Sequence, residues 1–303
     1  MSENEPVDHH YVPQFLLRNF ATDATRLRVN SIAKHGDRAV WKERSIKGIG
    51  FEKNLYVHFS RGAPVSVETD VNRNIETPIS ESQTWQKIAD GRPEELDASD
   101  KPILYALVRH LNSRTPHFRK TIDELEALAN DPLAEMEFSA EEREQYAFLK
   151  SDPEFKSALM DRMASDTSWQ AEAFEGALVM VWRSPVALRT GTTPVLSLPA
   201  PADPRIRLDG PGIVPTQLVA ALSPLVAISV VLGGFEDDFQ NIEIGADAAM
   251  GLNRYYIGQF AHFEQMRHVI CERDGLEAEM LWAHYTLETA SPSRMVFRRQ
   301  PVR

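Results

Sequence analysis

The stretch Asp8-His9-His10-Tyr11-Val12-Pro13-Gln14-Phe15-Leu16-Leu17-Arg18-Asn19-Phe20 sets two histidines, an arginine and an asparagine among large apolar residues. Imidazole binds divalent metals and activates water near neutral pH. A second group lies a hundred residues on. His110, Arg114 and His117 fall at i, i+4 and i+7 of an apolar helical pattern and so share one face. An arginine there holds a phosphate or carboxylate by a two-pronged contact. Glu76 and Glu81 flank a predicted helix start and would complete a metal site. The expectation is a hydrolase of phosphate esters, nuclease-like and dependent on a divalent metal. His9 or His10 is the base, His110 joins the catalytic group, and Arg18 and Arg114 stabilise the anion. The metal ligands would be His9, His10, Glu76 and Glu81.

Each of these residues also has a plain structural account. His9 and His10 would cap the first helix. Arg114 would be buried against a helix acid such as Glu81. Glu81 itself suits a helix N-terminus electrostatically. Tyr255-Tyr256 and Cys271 read as core, the thiol inert. The alternative function is therefore a non-catalytic binding or regulatory protein whose His, Arg and Glu cluster is structural, since a satisfied buried network specifies a unique core.

The elements that would position these groups follow from periodicity. Residues 1–8 read as a disordered tail. Apolar residues at 12, 15, 16 and 20 predict a short helix with Pro13 in its first turn. Alternation over residues 26–46, with a turn at Lys34-His35-Gly36-Asp37, predicts a β-hairpin, and residues 54–59 a third strand. Helices are expected from about 77 to 183. One starts at Thr77-Pro78, one near Ser99-Asp100 that bends or ends at Thr115-Pro116 with its pattern continuing to Asn130-Asp131-Pro132, and three follow capping boxes at Ser139, Ser151 and Thr167. The last runs toward Trp182. Strands are expected again at 186–190, 194–198 and 225–232, a proline-rich loop at 199–216, a helix at 246–262, a short strand at 268–272 and a closing helix at about 275–287. The arginine-rich residues 294–303 read as a solvated, frayed tail. The sum is an α+β fold, a helical middle packed on a β-rich part built from the N- and C-terminal thirds, as a single discontinuous domain over 9–303.

Composition narrows the function. A net charge of −11 disfavours broad attraction to nucleic acid or anionic lipid, though not a local basic patch. One cysteine permits no intrachain disulfide. The polar start lacks a leader pattern and no window suggests a membrane span, so a cytoplasmic protein is expected. There is no phosphate-binding glycine loop, no Gly-x-Ser-x-Gly elbow and no His-Glu-x-x-His.

The opening from His9 to Phe20 resembles the start of a bacterial family of unknown function (domain-of-unknown-function family 4238). Similar segments recur at Ile75-Glu76 through Glu81, Arg114-Thr115-Pro116, Thr190 to Val195, Leu222-Ser223-Pro224-Leu225 and Leu252-Asn253-Arg254. Family members usually carry Ser-Asp-Asn-Pro-Val where this chain has Gly191-Thr192-Thr193-Pro194-Val195, so the acidic position is replaced here. The resemblance implies an architecture and no reaction. Asp8-His9-His10-x-x-Pro13 also resembles the first motif of HNH-type nucleases. That fold requires a later Asn and a His on a following helix, whereas Asn30 and His35 fall in the predicted hairpin.

Overall fold

The computed structural model describes residues 8–53, 55, 57–60, 63–66, 68–116, 120, 177–199, 216–232 and 239–301. The alternating stretch after residue 26 folds into an antiparallel hairpin of β2 (Arg28–His35) and β3 (Arg38–Ser45). Gly36 turns it in the left-handed region, with φ +63°. Ahead of the hairpin lie a short strand, β1 (Asp8–His10), and helix α1 (Gln14–Arg18), which buries Leu16 and Leu17. His9 and His10 thus do not cap α1. They sit in a ladder with β4 (Phe51–Lys53), and Pro13 begins the helix. The junction is sealed by Gly50, whose carbonyl accepts the N–H groups of Tyr11 and Val12 at 2.8 and 3.1 Å.

After strands β5 (Val57–Ser60) and β6 (Ala63–Ser66), the chain enters a helical run. It begins at Glu68, nine residues before the expected start at Thr77. Helix α2 (Glu68–Val71) passes through a π turn (Asn72–Glu76) into α3 (Thr77–Glu81). Pro78 has no N–H to donate, so a regular helix through it would lose a bond. The wider turn immediately upstream absorbs that loss, and Thr77-Pro78 is an interior of the run rather than its beginning. Helix α4 (Gln83–Ala89) follows, capped by the Ser82 side chain. Helix α5 (Lys101–Ser113) buries Leu104, Leu107, Val108 and Leu111 along the expected stripe. The capping boxes at Ser139, Ser151 and Thr167 lie outside the described residues, as does His117.

The helical reading fails at the end of the middle region. Residues Ala177–Arg183 form strand β7. Ala-Leu-Val-Met-Val-Trp is a short continuous apolar run, which periodicity alone cannot assign. Its neighbours decide the matter, because β11 (Val226–Leu232) pairs with it on one side and β12 (Phe239–Glu243) on the other. With β9 (Val195–Pro199) and β10 (Thr216–Ser223) they form a five-stranded sheet in the order β12-β7-β11-β10-β9. Helix α5 packs on this sheet.

The second large sheet draws on both ends of the described chain. Its order is β14-β15-β3-β2-β13-β8, from β8 (Thr190–Gly191), β13 (His268–Ile270), β14 (Tyr285–Ser291) and β15 (Arg294–Arg299). The expected strand at 186–190 is thereby reduced to a two-residue edge. The expected last helix stops early, as α7 (Leu276–Trp282), and the arginine-rich tail is not frayed through Arg299 but is the strand hydrogen-bonded to β3. Met295 and Phe297 bury alongside Trp41 and supply the apolar alternation that anchors it. Helix α6 (Ala246–His262) covers β8 and β13. One continuous core joins both sheets and the helices, an α+β fold. Among the described residues no helix is long and apolar enough to cross a membrane.

Gly50 should tolerate no side chain. Its φ is +67°, and an added Cβ would lie 2.6 Å from Val12 Cβ. Gly50→Ala is expected to cost about 2–4 kcal/mol from backbone strain and overpacking together. Gly36→Ala, at φ +63° with nothing within 4 Å, should cost only about 1–2 kcal/mol. Urea unfolding of the two variants measures the difference.

Candidate functional site

Helix α5 ends by carrying Arg114 into the interior, where the residue is only 2% exposed. A buried guanidinium needs partners of opposite charge. It has two among the described residues. Its Nη2 donates to Glu68 Oε2 at 2.7 Å, and its Nη1 is paired with Glu76 Oε1. Both carboxylates come from the α2-to-α3 run, eight residues apart. Regular α-helix advances about 100° per residue, which would leave them about 80° apart around the axis. The π turn between them advances less per residue, and brings Glu76 back onto the face of Glu68. The departure from regular helix is therefore what lets one arginine hold both acids.

His110, one turn before Arg114 on α5, places Nε2 3.3 Å from Glu76 Oε1. The distance alone would suit an ion pair. Burial outweighs the carboxylates: it pushes the imidazole down to about 4, so the ring is neutral near pH 7 and donates a hydrogen bond. His10 reaches the same locality from β1. It is half-buried, and the charges of Glu68 and Arg114 both act on it, while burial lowers its affinity for a proton. Its Nε2 accepts from the Gln14 side chain at 3.3 Å, leaving its other nitrogen for the Lys47 backbone. The N-terminal motif thus lies within electrostatic reach of the Glu68–Arg114 pair.

The remaining sequence candidates divide. His9 is buried, at 1% exposure, on the β1 ladder beside His10. Glu76 belongs to the cluster. Arg18 is exposed at the end of α1, where its carbonyl accepts from Arg26 Nε at 3.0 Å. Glu81 is exposed at the end of α3, not at a helix start, and Arg114 pairs with Glu68 and Glu76 in its place. Among the described residues no three His, Cys, Asp or Glu side chains are gathered to hold a metal ion. The space between Glu68 and Glu76, where a divalent cation would sit, is filled by a cation of the protein's own. Glu68 was not singled out in the sequence. Its only signal was its separation from Glu76, which regular helical geometry would have sent elsewhere.

The other conspicuous segments form joints. Asn19 donates to the Leu222 carbonyl at 3.1 Å, tying α1 to β10. Asn253 accepts from Arg189 N at 2.8 Å and donates to Ala187 O at 2.9 Å. Tyr256 donates to Pro194 O at 2.6 Å and accepts from Ala221 N at 3.2 Å. Thr192 is fully buried, and its hydroxyl accepts from the backbone N–H groups of Arg267 and His268 at 3.0 and 3.2 Å. Cys271 is buried, its thiol pushed up to about 11 by burial, which fits the inert reading.

Comparison with family models returns one match. The chain belongs to the family described as protein of unknown function (DUF4238). The match spans residues 8–208. It starts at β1 and includes the whole of the Glu68, Glu76, His110 and Arg114 cluster, but stops before β10. No curated protein and no solved structure matches the chain.

His110 and His268 should make stability fall with acid. Burial holds each at about 4, against about 6.5 for an unfolded histidine. Between those values the unfolded chain binds more protons. Stability is therefore level above about pH 6.5 and declines toward about pH 4, by about 1.4 kcal/mol per pH unit for each histidine. Denaturant unfolding of His110→Asn should show a slope near pH 5 shallower by about that amount; an unchanged slope would contradict a neutral buried ring.

Proposed function

We propose that this protein is a non-catalytic binding or regulatory protein, and that its His, Arg and Glu cluster fixes the fold. The supporting observation is Arg114. Its two arms are already met by Glu68 and Glu76, and its side chain is 2% exposed. An arginine buried and paired in this way is not presented to a phosphate ester, which counts against an anion-stabilising role. Arg18, the second arginine of the hydrolase reading, is exposed on another element.

One observation favours the catalytic reading. His10 stands half-exposed at the edge of the cluster, with burial favouring its neutral form, which is what a general base requires. Nuclease-like hydrolysis of phosphate esters, with a divalent metal drawn to His9, His10 and Glu76, is the second reading.

Two measurements separate them. Arg114→Met leaves two buried carboxylates unpaired, and is expected to cost about 3–5 kcal/mol. Adding Glu68→Gln and Glu76→Gln should restore at least about 2 kcal/mol of that loss, because the stranded charges go too. No loss in the single variant would remove the structural reading. In parallel, the protein is assayed on bis(p-nitrophenyl) phosphate with magnesium or manganese. The binding reading expects no turnover. Turnover that disappears in His10→Ala at unchanged thermal stability would replace it with the hydrolase.

A further inference from the structure

The outer face of the six-stranded sheet carries a groove of about 770 Å³ running across β14, β15 and β3. The volume lies within the range of small-molecule sites. The strand register sets side chains across it in rows. Val40 faces Val296 and forms an apolar floor. On one side of that floor Arg38 lies opposite Arg298, and on the other Lys42 lies opposite Arg294. Like charges directly opposite on antiparallel strands repel. In a chain of net charge −11, two such pairs on one face are a concentration of positive charge against the overall balance.

The two rows are treated differently. A β-bulge between Leu287 and Thr289 on β14 leaves Glu288 as the extra residue, and bulges re-aim side chains. The Glu288 carboxylate accepts from Arg38 Nε at 3.1 Å and also pairs with Arg298. It bridges that row and neutralises part of its charge. The Lys42–Arg294 row lies four residues along the strands, about 13 Å away. Among the described residues no carboxylate pairs with Lys42 or Arg294, and both side chains are exposed. The groove rim beside them adds Ser291 and Thr289, whose hydroxyls are small polar groups. No Phe, Tyr or Trp lines the groove; its one ring, the His35 imidazole, lies with Asp37 at the Arg38 end, away from Lys42 and Arg294, so the groove offers no run of rings on which successive bases would stack.

We propose that this groove binds a small organic phosphate, with the phosphate group between Lys42 and Arg294 and the apolar body of the ligand over Val40 and Val296. An anion there relieves the one repulsive row that the protein leaves unneutralised. The apolar floor distinguishes an organic phosphate from the inorganic ion, and the size of the groove suits a single small molecule rather than a polymer. The site is on the opposite side of its sheet from the buried core and does not depend on the Arg114 cluster.

Titration calorimetry on the full chain tests it, with phenyl phosphate, inorganic phosphate and a short single-stranded oligothymidylate as probes. Phenyl phosphate should bind saturably at one site, about tenfold tighter than inorganic phosphate, and weaken with salt. The double variant K42Q/R294Q should weaken it about tenfold or more. E288Q, which frees two guanidinium groups, should tighten it about threefold. All three substitutions are at exposed positions, and thermal melting verifies the fold. Absence of saturable binding, or equal affinity of wild type and K42Q/R294Q, overturns the proposal. Binding of the oligonucleotide tighter than phenyl phosphate, and dependent on Lys42 and Arg294, also overturns it, because the occupant would then be a nucleic-acid strand.

Discussion

A guanidinium in a dry interior is tolerable only when its charge is answered, and the placement of Arg114 imposes that demand on three separate parts of the chain. Helix α5 must end where its last turn can drop the side chain inward. The run from α2 to α3 must arrive with two carboxylates on one face, which requires the π turn at Asn72–Glu76. His110 stays neutral beside Glu76 because burial disfavours its charged form. Strand β1 must close over the top, with His10 against Gln14 and Phe51. Exchange of such a cluster for apolar residues can leave stability unchanged or raise it. Its value lies in selectivity, since few alternative packings satisfy three charges at once.

The remaining polar joints do for the two large sheets what Arg114 does for the helices. Asn253, Tyr256 and Thr192 each make two or more hydrogen bonds to backbone atoms, Asn19 makes one, and each links elements distant in sequence. The buried Arg189 belongs to the same set: it donates to the carbonyls of Glu272 and Asp274 at 3.0 and 2.9 Å and pairs with Glu279. Backbone groups in irregular segments such as 184–194 cannot be met by a ladder, and side-chain amides and hydroxyls meet them instead. That explains why the distinctive residues of the chain are so often polar and yet hidden.

Some of this was legible in the residue order. The hairpin at 28–45 followed from alternation around Gly36, α5 from its apolar stripe, and α6 from a long helical period ending where predicted. The cluster is half visible: Glu76, His110 and Arg114 fall on helices as expected, while His10, expected just before or at a helix N-terminus, lies in strand β1. What escaped depended on non-local pairing. Ala177–Arg183 is a strand because β11 and β12 flank it, and nothing within those seven residues says so. Arg294–Arg299 looks like a charged tail until β3 supplies its partner. Glu68 was missed because a π turn changes which residues share a face, and regular periodicity carries no trace of it.

The six-stranded sheet has a consequence for how the molecule is made. Strand β3 is flanked by β2, its immediate neighbour in the chain, and by β15, some 250 residues later. Until residues 294–299 emerge from the ribosome, one margin of β3 displays bare amide and carbonyl groups next to Ala39 and Trp41, whose apolar surfaces await Met295 and Phe297. A nascent chain in that condition offers a template for mispairing with its neighbours. Lys42 and Arg38, alternating with those apolar residues along the margin, are the kind of charge that discourages such association, so the same side chains guard the strand during synthesis and face the groove once it is closed.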